Sequence, residues 1–462
     1  MSDVNAVLQR IDANLPQSLE RLFAFLAIPS ISTDSTYRAE CRRAAQWASD
    51  QLSGIGFSSR VADTNGHPMV VAHRKPAGAK RHVLFYGHYD VQPPDPLDLW
   101  QTPPFEARME DGPRGKRIVA RGSSDDKGQL LTFIEAARAF IETIGELPVA
   151  VTVLLEGEEE SGSPSLKPFF DQNKAELKAD LALVCDTGMW DATTPAITTR
   201  LRGLVGEEIT VTTSGRDLHS GMYGGPAQNP IKVLSALVAS LHDADGKVLV
   251  PGFYEGVSEL PEQIAAQWRG LGFDEKAFLG EAGLEGEAGE KGRSVLEKIW
   301  ARPTCEINGI WGGYTGEGFK TVIPAQAHAK ISLRLVGRQD PVAIRVSLRK
   351  YLTERLPKGA KISFHEHGGS GAIELAADSP ALALAASGLR EEWNKEPILM
   401  GSGGSIPIVG AFKKELGMDT LLIGFALDDD RIHSPNEKYE LSSFHKGARS
   451  WARILARLAE WK

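Results

Sequence analysis

Only three cysteines, Cys41, Cys185 and Cys305, stand in 462 residues, and no two form a Cys-x-x-Cys pair. Their number and spacing argue against a disulfide framework and against a thiolate zinc knot, and fit a reducing cytoplasm. No run of about 18 apolar residues occurs, which leaves no candidate membrane-spanning helix. The opening stretch, MSDVNAVLQRIDANLPQ, has no basic start followed by an apolar run, so it does not read as a secretory signal. Positive charge is in deficit. Lys and Arg number 52 against 60 Asp and Glu, a formal net charge of -8. Such a chain lacks the electrostatic footprint for nucleic acid or an anionic membrane. Repeats and low-complexity tracts are also lacking.

What is present suits an enzyme-sized globular protein. The chain is 42% hydrophobic and 24% charged, close to average usage. Its length exceeds one ordinary core and implies two domains. Apolar spacing from Val4 to Leu26 predicts one or two helices, with Pro16 as a kink or restart. Strands are expected at Met69 to Ala72, Val83 to Tyr86, Val149 to Leu155 and Leu181 to Val184. Helices are expected at Ala39 to Leu52, Gln129 to Ile144 and Lys167 to Lys174. This alternation is an α/β pattern. After Arg202 the texture shifts to alternating strands, at Glu207 to Thr213 and Ala329 to Leu335. Helices at Ile231 to Leu241 and Val342 to Leu356 accompany them. Residues 255 to 300 read as helical and acidic, with LGEAGLEGEAGEKG as an exposed loop. From Pro380 the first style resumes, with a strand at Thr420 to Gly424. The expected architecture is a discontinuous α/β domain, 1–202 and 379–462, with an inserted α+β domain, 203–378.

Ligands of open α/β sheets gather beyond the carboxyl ends of the strands. Several such ends here carry acids or histidines. Val83 to Tyr86 runs into Gly87-His88-Tyr89-Asp90. Asp125 and Asp126 precede a helix. Leu181 to Val184 runs into Cys185-Asp186. The strand through Ile423 leads to Asp428, Asp429, Asp430 and His433. The stretch LLEGEEESGS, 154–163, crowds Glu156, Glu158, Glu159 and Glu160 at the end of a strand. Carboxylates so close repel one another and are rarely buried without a partner.

Histidine and carboxylate donors without cysteine suit Zn²⁺, with Mn²⁺ as the alternative. Two dications sharing a carboxylate, about 3.5–4 Å apart, would reverse the repulsion in the Glu cluster. One Glu can then be a ligand and its neighbour the general base for a bridging water. Each residue alone has a plainer reading. His88 could be a hydrogen-bonded structural histidine. Asp125 and Asp126 could be helix N-caps. Asp186 could be a turn residue, and Asp428 to Asp430 an acidic surface turn, a reading kept for at least two of the three. It is their conjunction at successive strand ends that favours a metal centre.

Gly87-His88-Tyr89-Asp90-Val91-Gln92-Pro93-Pro94, Gly122-Ser123-Ser124-Asp125-Asp126-Lys127-Gly128, Glu158-Glu159-Glu160-Ser161-Gly162-Ser163 and His433-Ser434-Pro435-Asn436-Glu437 resemble motifs of the M-20 metallopeptidase family. The resemblance spans essentially the whole chain and is closest to the carnosinase-type dipeptidase branch. There Asp217 to Gly225, Lys320 to Pro324 and Gly403 to Pro407 also find counterparts.

The resemblance implies a split di-zinc peptidase domain with an inserted lid and dimerisation domain, and two Zn²⁺ per subunit. His88 and Asp186 would bind one ion, Glu160 and His433 the other, and Asp125 both. The peptide bond after Asp125 is often cis in the family. Glu159 resembles the general base serving a bridging hydroxide, and Asp90 the acid that orients His88. His219 resembles a histidine that reaches a neighbouring subunit's site and polarises the scissile carbonyl. Arg334 resembles the arginine that grips a terminal carboxylate, with a strand-surface ion pair as its rival reading. Gly404 and Ser405 look like the carboxylate-binding turn, and His367 like a further substrate contact. Glu158 departs from the family pattern, and Glu156 has no assigned role. The acidic string Ala426 to Arg431 could bias the site toward basic or amino-terminal groups. The expected activity is hydrolysis of the amide bond of dipeptides or short peptides bearing a free terminal carboxylate. The near rivals are an N-acyl-amino-acid deacylase and a glutamate carboxypeptidase. A metal-free scaffold is the distant one.

Overall fold

The structure is a computed structural model that describes residues 4–404 and 406–461. The chain folds as two units. The first takes in Met1–Thr199, Leu375–Met400 and Ala411–Lys462, and the second Arg200–Glu374 and Gly401–Gly410. The second therefore includes a segment, 401–410, that lies outside the insertion expected from the sequence.

The first unit is built on a mixed sheet. Its strands run in the order Ser58–Ala62, Met69–Arg74, Ala150–Glu156, His82–His88, Leu181–Val184, Asp419–Leu422 and Ala196–Leu201. The central pairings, of His82–His88 with both neighbours and of Leu181–Val184 with Asp419–Leu422, are parallel. Parallel strands are covered on both faces and read as continuous apolar runs. Val83 to Tyr86, Val151 to Leu155 and Leu181 to Val184 are accordingly buried throughout. The register pairs His88 with Glu156 and Tyr86 with Val184. The three carboxyl ends thus finish together, at the edge where such sheets collect ligands.

Helices Val4–Leu26, Lys127–Ile144, Pro380–Trp393 and Leu441–Leu458 pack on one another beside this sheet. Pro16 sits inside the first helix without breaking it. Burial of Val7, Leu8, Ile11, Leu22, Phe25 and Leu26 holds both halves against their neighbours and offsets the lost backbone hydrogen bond. Phe85 stacks on Phe133 at 3.8 Å, with Trp451 edge-on to both. Full burial of such rings contributes about 1.5–3 kcal/mol each, and here it anchors the strand three residues before His88. A small sheet, formed by Lys438–Glu440, Gly115–Val119 and Arg108–Gly112, lies in the same unit.

The second unit holds a four-stranded antiparallel sheet in the order Thr304–Gly312, Gln326–Leu335, Gly203–Thr212 and Lys361–Ser370. Gly203–Thr212 alternates buried and half-buried residues along its whole length, as a strand with one covered face must. Helices Pro230–Ala239 and Pro341–Glu354 pack on it. Both begin alike: Asn229 and Asp340 accept a hydrogen bond from the backbone two residues on, and a proline follows as the first helical residue. The stretch from 255 to 300 contains three short helices, Glu262–Arg269, Glu275–Glu281 and Val295–Trp300. Among the described residues no helix is long and apolar enough to cross a membrane.

Candidate metal centre

Seven of the residues singled out by sequence converge in the first unit. His88 ends its strand with no exposed surface. Its Nε2 lies 3.0 Å from Asp125 Oδ1 and 3.9 Å from Asp186 Oδ2. Its Nδ1 is 3.1 Å from the Asp90 carbonyl oxygen and 3.4 Å from Asp90 Oδ1. Its backbone N–H donates to Asp126 Oδ2 at 3.2 Å.

Asp125 turns its second oxygen the other way. Oδ2 lies 3.0 Å from His433 Nε2, and Glu160 Oε2 is 3.3 Å from the same nitrogen. Gln92 donates to that Glu160 oxygen at 2.7 Å. His433 sits on a loop with φ of 62°, its side chain 54% exposed. The peptide between Asp125 and Asp126 is cis.

Asp90 organises the glutamates as well as the histidine. It is fully buried, and its two carboxylate oxygens accept the backbone N–H groups of Glu159 and Glu160 at 3.3 and 3.1 Å. One short turn, Glu159–Ser161, thereby presents two adjacent acids at the strand end. The outer two acids have other partners. Glu158 is buried and accepts from the backbone of His67 at 2.7 Å and of Ser165 at 2.9 Å, tying two loops together. A Cβ at Gly66 would collide with the Glu158 carboxylate in this position. Glu156 accepts the Tyr86 hydroxyl at 2.6 Å, and burial pushes its pKa up to about 7.

The acidic string before His433 is largely neutralised. Asp429 pairs with Arg114 and Lys438. Asp428 and Asp429 are exposed, in keeping with a surface turn for at least two of the three acids, and Asp430 is fully buried against Lys438 and Ser124. Neither Asp429 nor Asp430 is left unpaired to recruit a basic substrate group.

Carboxylates outnumber imidazoles in the cluster. Burial opposes charge on His88, but hydrogen bonds to Asp125 and Asp90 win and raise its pKa well above the ordinary value. Burial likewise opposes charge on Asp125, yet the two histidines hold its carboxyl well below the usual range. Burial, reinforced by the Asp125 charge, raises Asp186 well above its ordinary value. Burial also raises Glu159, against the pull of His88 and helped by Glu160, Asp125 and Asp90. Such opposed shifts mark a site short of positive charge.

The donors fit divalent metal. His88, Asp125 and Asp186 form one group, and Asp125, Glu160 and His433 another, each with ligand atoms within 4.8 Å of one another. Glu160 Oε1 is buried without a hydrogen-bond partner among the described residues. Two imidazoles with shared carboxylates and no thiolate are donors for zinc or manganese.

The other predicted residues belong to the second unit. His219 caps a four-residue helix, accepting the Gly221 N–H at Nδ1, 3.0 Å away. Arg334 lies on the Gln326–Leu335 strand and lines a cavity of about 800 Å³ with Arg202, Thr304, Glu306 and Ser332. It forms no ion pair among the described residues, unlike the surface pair considered from sequence. Gly404 N donates to Ser402 Oγ at 3.1 Å, and Ser405 lies outside the described residues. His367, on the Lys361–Ser370 strand, has its Nε2 3.4 Å from Glu208 Oε2 on the Gly203–Thr212 strand. Sequence reasoning passed over Gln92 and Glu437, although both stood inside quoted motifs.

A family model described as Peptidase family M20/M25/M40 matches residues 84–457. The Cys-Gly metallodipeptidase of Candida albicans is 32% identical, over 94% of this chain and 93% of that protein. The Beta-Ala-His dipeptidase of Homo sapiens is 29% identical, over 98% and 92%. The solved M20 family metallo-carboxypeptidase of Sulfolobus solfataricus superposes with a TM-score of 0.82 at 30% identity, covering 96% of this chain and 99% of that one. With matches of this extent over the strand ends that carry the cluster, the chain belongs to peptidase family M20/M25/M40.

Proposed function

We propose that this chain is a metal-dependent peptidase that hydrolyses the amide bond of dipeptides and short peptides with a free terminal carboxylate. One observation carries the reading. The two oxygens of Asp125 each face a different imidazole at 3.0 Å, with a further carboxylate beside each ring. That arrangement suits two Zn²⁺ per subunit, with Mn²⁺ as the alternative. His88, Asp125 and Asp186 would hold one ion, and Asp125, Glu160 and His433 the other. When bound, such ions supply Lewis acidity to the scissile carbonyl and bring the pKa of water to about 7.

Glu159 is the general base. Asp90 fixes its backbone, and its carboxylate makes no hydrogen bond among the described residues. It takes the proton of the attacking water and returns it to the leaving nitrogen. Arg334, with the turn at Gly404 and Ser405, receives the terminal carboxylate, where a guanidinium can donate two parallel hydrogen bonds. His367 is a further substrate contact. His219 steadies the developing oxyanion from a neighbouring subunit of a homodimer. Exposed Met222, Tyr223, Ile310, Trp311 and Phe319 in the second unit support an interface there. Residues 203–378 would be the lid and dimerisation domain, and three scattered free cysteines suit a cytoplasmic protein.

The relatives named for Cys-Gly and β-Ala-His hydrolysis favour the dipeptidase reading. The likeness to a metallo-carboxypeptidase keeps a glutamate carboxypeptidase or N-acyl-amino-acid deacylase as the second reading. Metal-reconstituted enzyme is to be assayed on Cys-Gly, β-Ala-His, N-acetyl amino acids and acyl-glutamates side by side. Higher kcat/KM on the dipeptides supports the proposal, and preference for the acyl compounds overturns it. Glu159→Gln should lower kcat by about 10²–10⁴-fold with metal content unchanged.

A further inference from the structure

Arg121 and Glu437 form an ion pair at 2.8 Å, with side chains 1% and 0% exposed. Buried pairs of this kind are often no more stabilising than apolar residues of similar volume. Stability alone therefore does not account for one beside the cluster. Its geometry suggests what does. Glu437 Oε2 accepts from Arg121 Nη1 and from Gly122 N at 2.9 Å. Oε1 accepts from Ser124 N at 2.8 Å and Asp125 N at 3.0 Å. One carboxylate thus grips the irregular backbone that presents Asp125, and it stands four residues after His433. Three residues before His433, Asp430 Oδ2 accepts the Ser124 hydroxyl at 2.8 Å. The loop carrying Asp125 is fastened to the His433 loop on both sides of the histidine.

We propose that Glu437, assisted by Arg121 and Asp430, is a positioning residue that sets the separation of Asp125 and His433 and so governs metal affinity on that side of the centre. The inference rests on the metal-centre reading above. A metal ligand whose supporting hydrogen bonds are lost typically costs about 10–100-fold in metal affinity. Glu437→Gln keeps one acceptor oxygen but sets an NH2 group against one of the two donor pairs, Arg121 with Gly122 or Ser124 with Asp125. Ser124→Ala is milder, removing only the Asp430 fastening. Glu135→Gln is the control. Glu135 is a buried acid of the same unit that accepts from Ser18 and Arg21, in the middle of the Lys127–Ile144 helix.

Each protein is stripped of metal and titrated with zinc against a competing chelator, with melting temperature measured in parallel. The expected result is 10–100-fold weaker binding of one zinc equivalent in Glu437→Gln, a smaller loss in Ser124→Ala, and none in Glu135→Gln. Folded Glu437→Gln that binds both equivalents as tightly as wild type overturns the inference. Equal losses in Glu437→Gln and Glu135→Gln also overturn it, because the effect would then follow stability. If Glu437→Gln does not fold, Ser124→Ala decides by the same criterion. A wild type that takes up no zinc removes the metal-centre reading itself, and the clamp with it.

Discussion

The two histidine sides of the cluster share Asp125 and differ in how they are held. His88 is the last residue of a central parallel strand, buried completely, its ring fixed between Asp125 and the Asp90 backbone. His433 rides on a loop, half exposed, and owes its place to fastenings made by neighbouring side chains. Sheet hydrogen bonds and core packing position the first side. Individual polar contacts position the second. If the site holds two metals as proposed, it should lose them unequally, because local openings cost least where few buried contacts resist them.

Variants can break this contrast in descending order of effect. Asp125→Ala strikes both sides. Each metal's Lewis acidity is worth several kcal/mol, so kcat/KM should fall by at least about 10⁴-fold, with metal analysis finding neither equivalent. The single histidine variants should separate the sides. His433→Ala is expected to keep one equivalent of zinc and a nearly unchanged melting temperature. His88→Ala leaves buried carboxylates uncompensated and should cost about 3 kcal/mol in a denaturant titration, besides its metal. Equal behaviour of the two variants would erase the distinction. Gln92→Ala removes only the donor to Glu160 and should weaken one equivalent by about 10-fold, read by chelator competition. Glu158→Gln touches neither side. It should lose about 1–3 kcal/mol of stability while metal content and kcat stay level.

The sheet end was legible because the parallel strands around His88 are largely apolar runs that lead into an acid or histidine. Val83 to Tyr86 before His88, and Leu181 to Val184 before Asp186, are cases that burial on both faces enforces. The division of labour within Glu156 to Glu160 was not legible from the residues alone. Four acids in five positions look alike in one dimension. In three, Asp90 aims Glu159 and Glu160 inward, while Tyr86 takes Glu156 and the amides of His67 and Ser165 take Glu158. Those partners lie as many as 91 residues away in sequence. The hairpin at Arg108–Gly112 and Gly115–Val119 also went unread. Glu110 ties Arg108 and Arg117 by ion pairs rather than apolar alternation, so the usual strand period is muted. In the acidic run, Asp428 and Asp429 are exposed as a surface turn would have them, while Asp430 is buried because Lys438 and Ser124, invisible in one dimension, compensate it.

The account depends on Asp125 lying between two cations. Anomalous diffraction from crystals of the zinc-loaded enzyme tests this directly. Two peaks about 3.5–4 Å apart, one beside His88 and Asp186 and the other beside Glu160 and His433, with Asp125 between them, are the predicted result. A single peak, or metal bound away from Asp125, would contradict it.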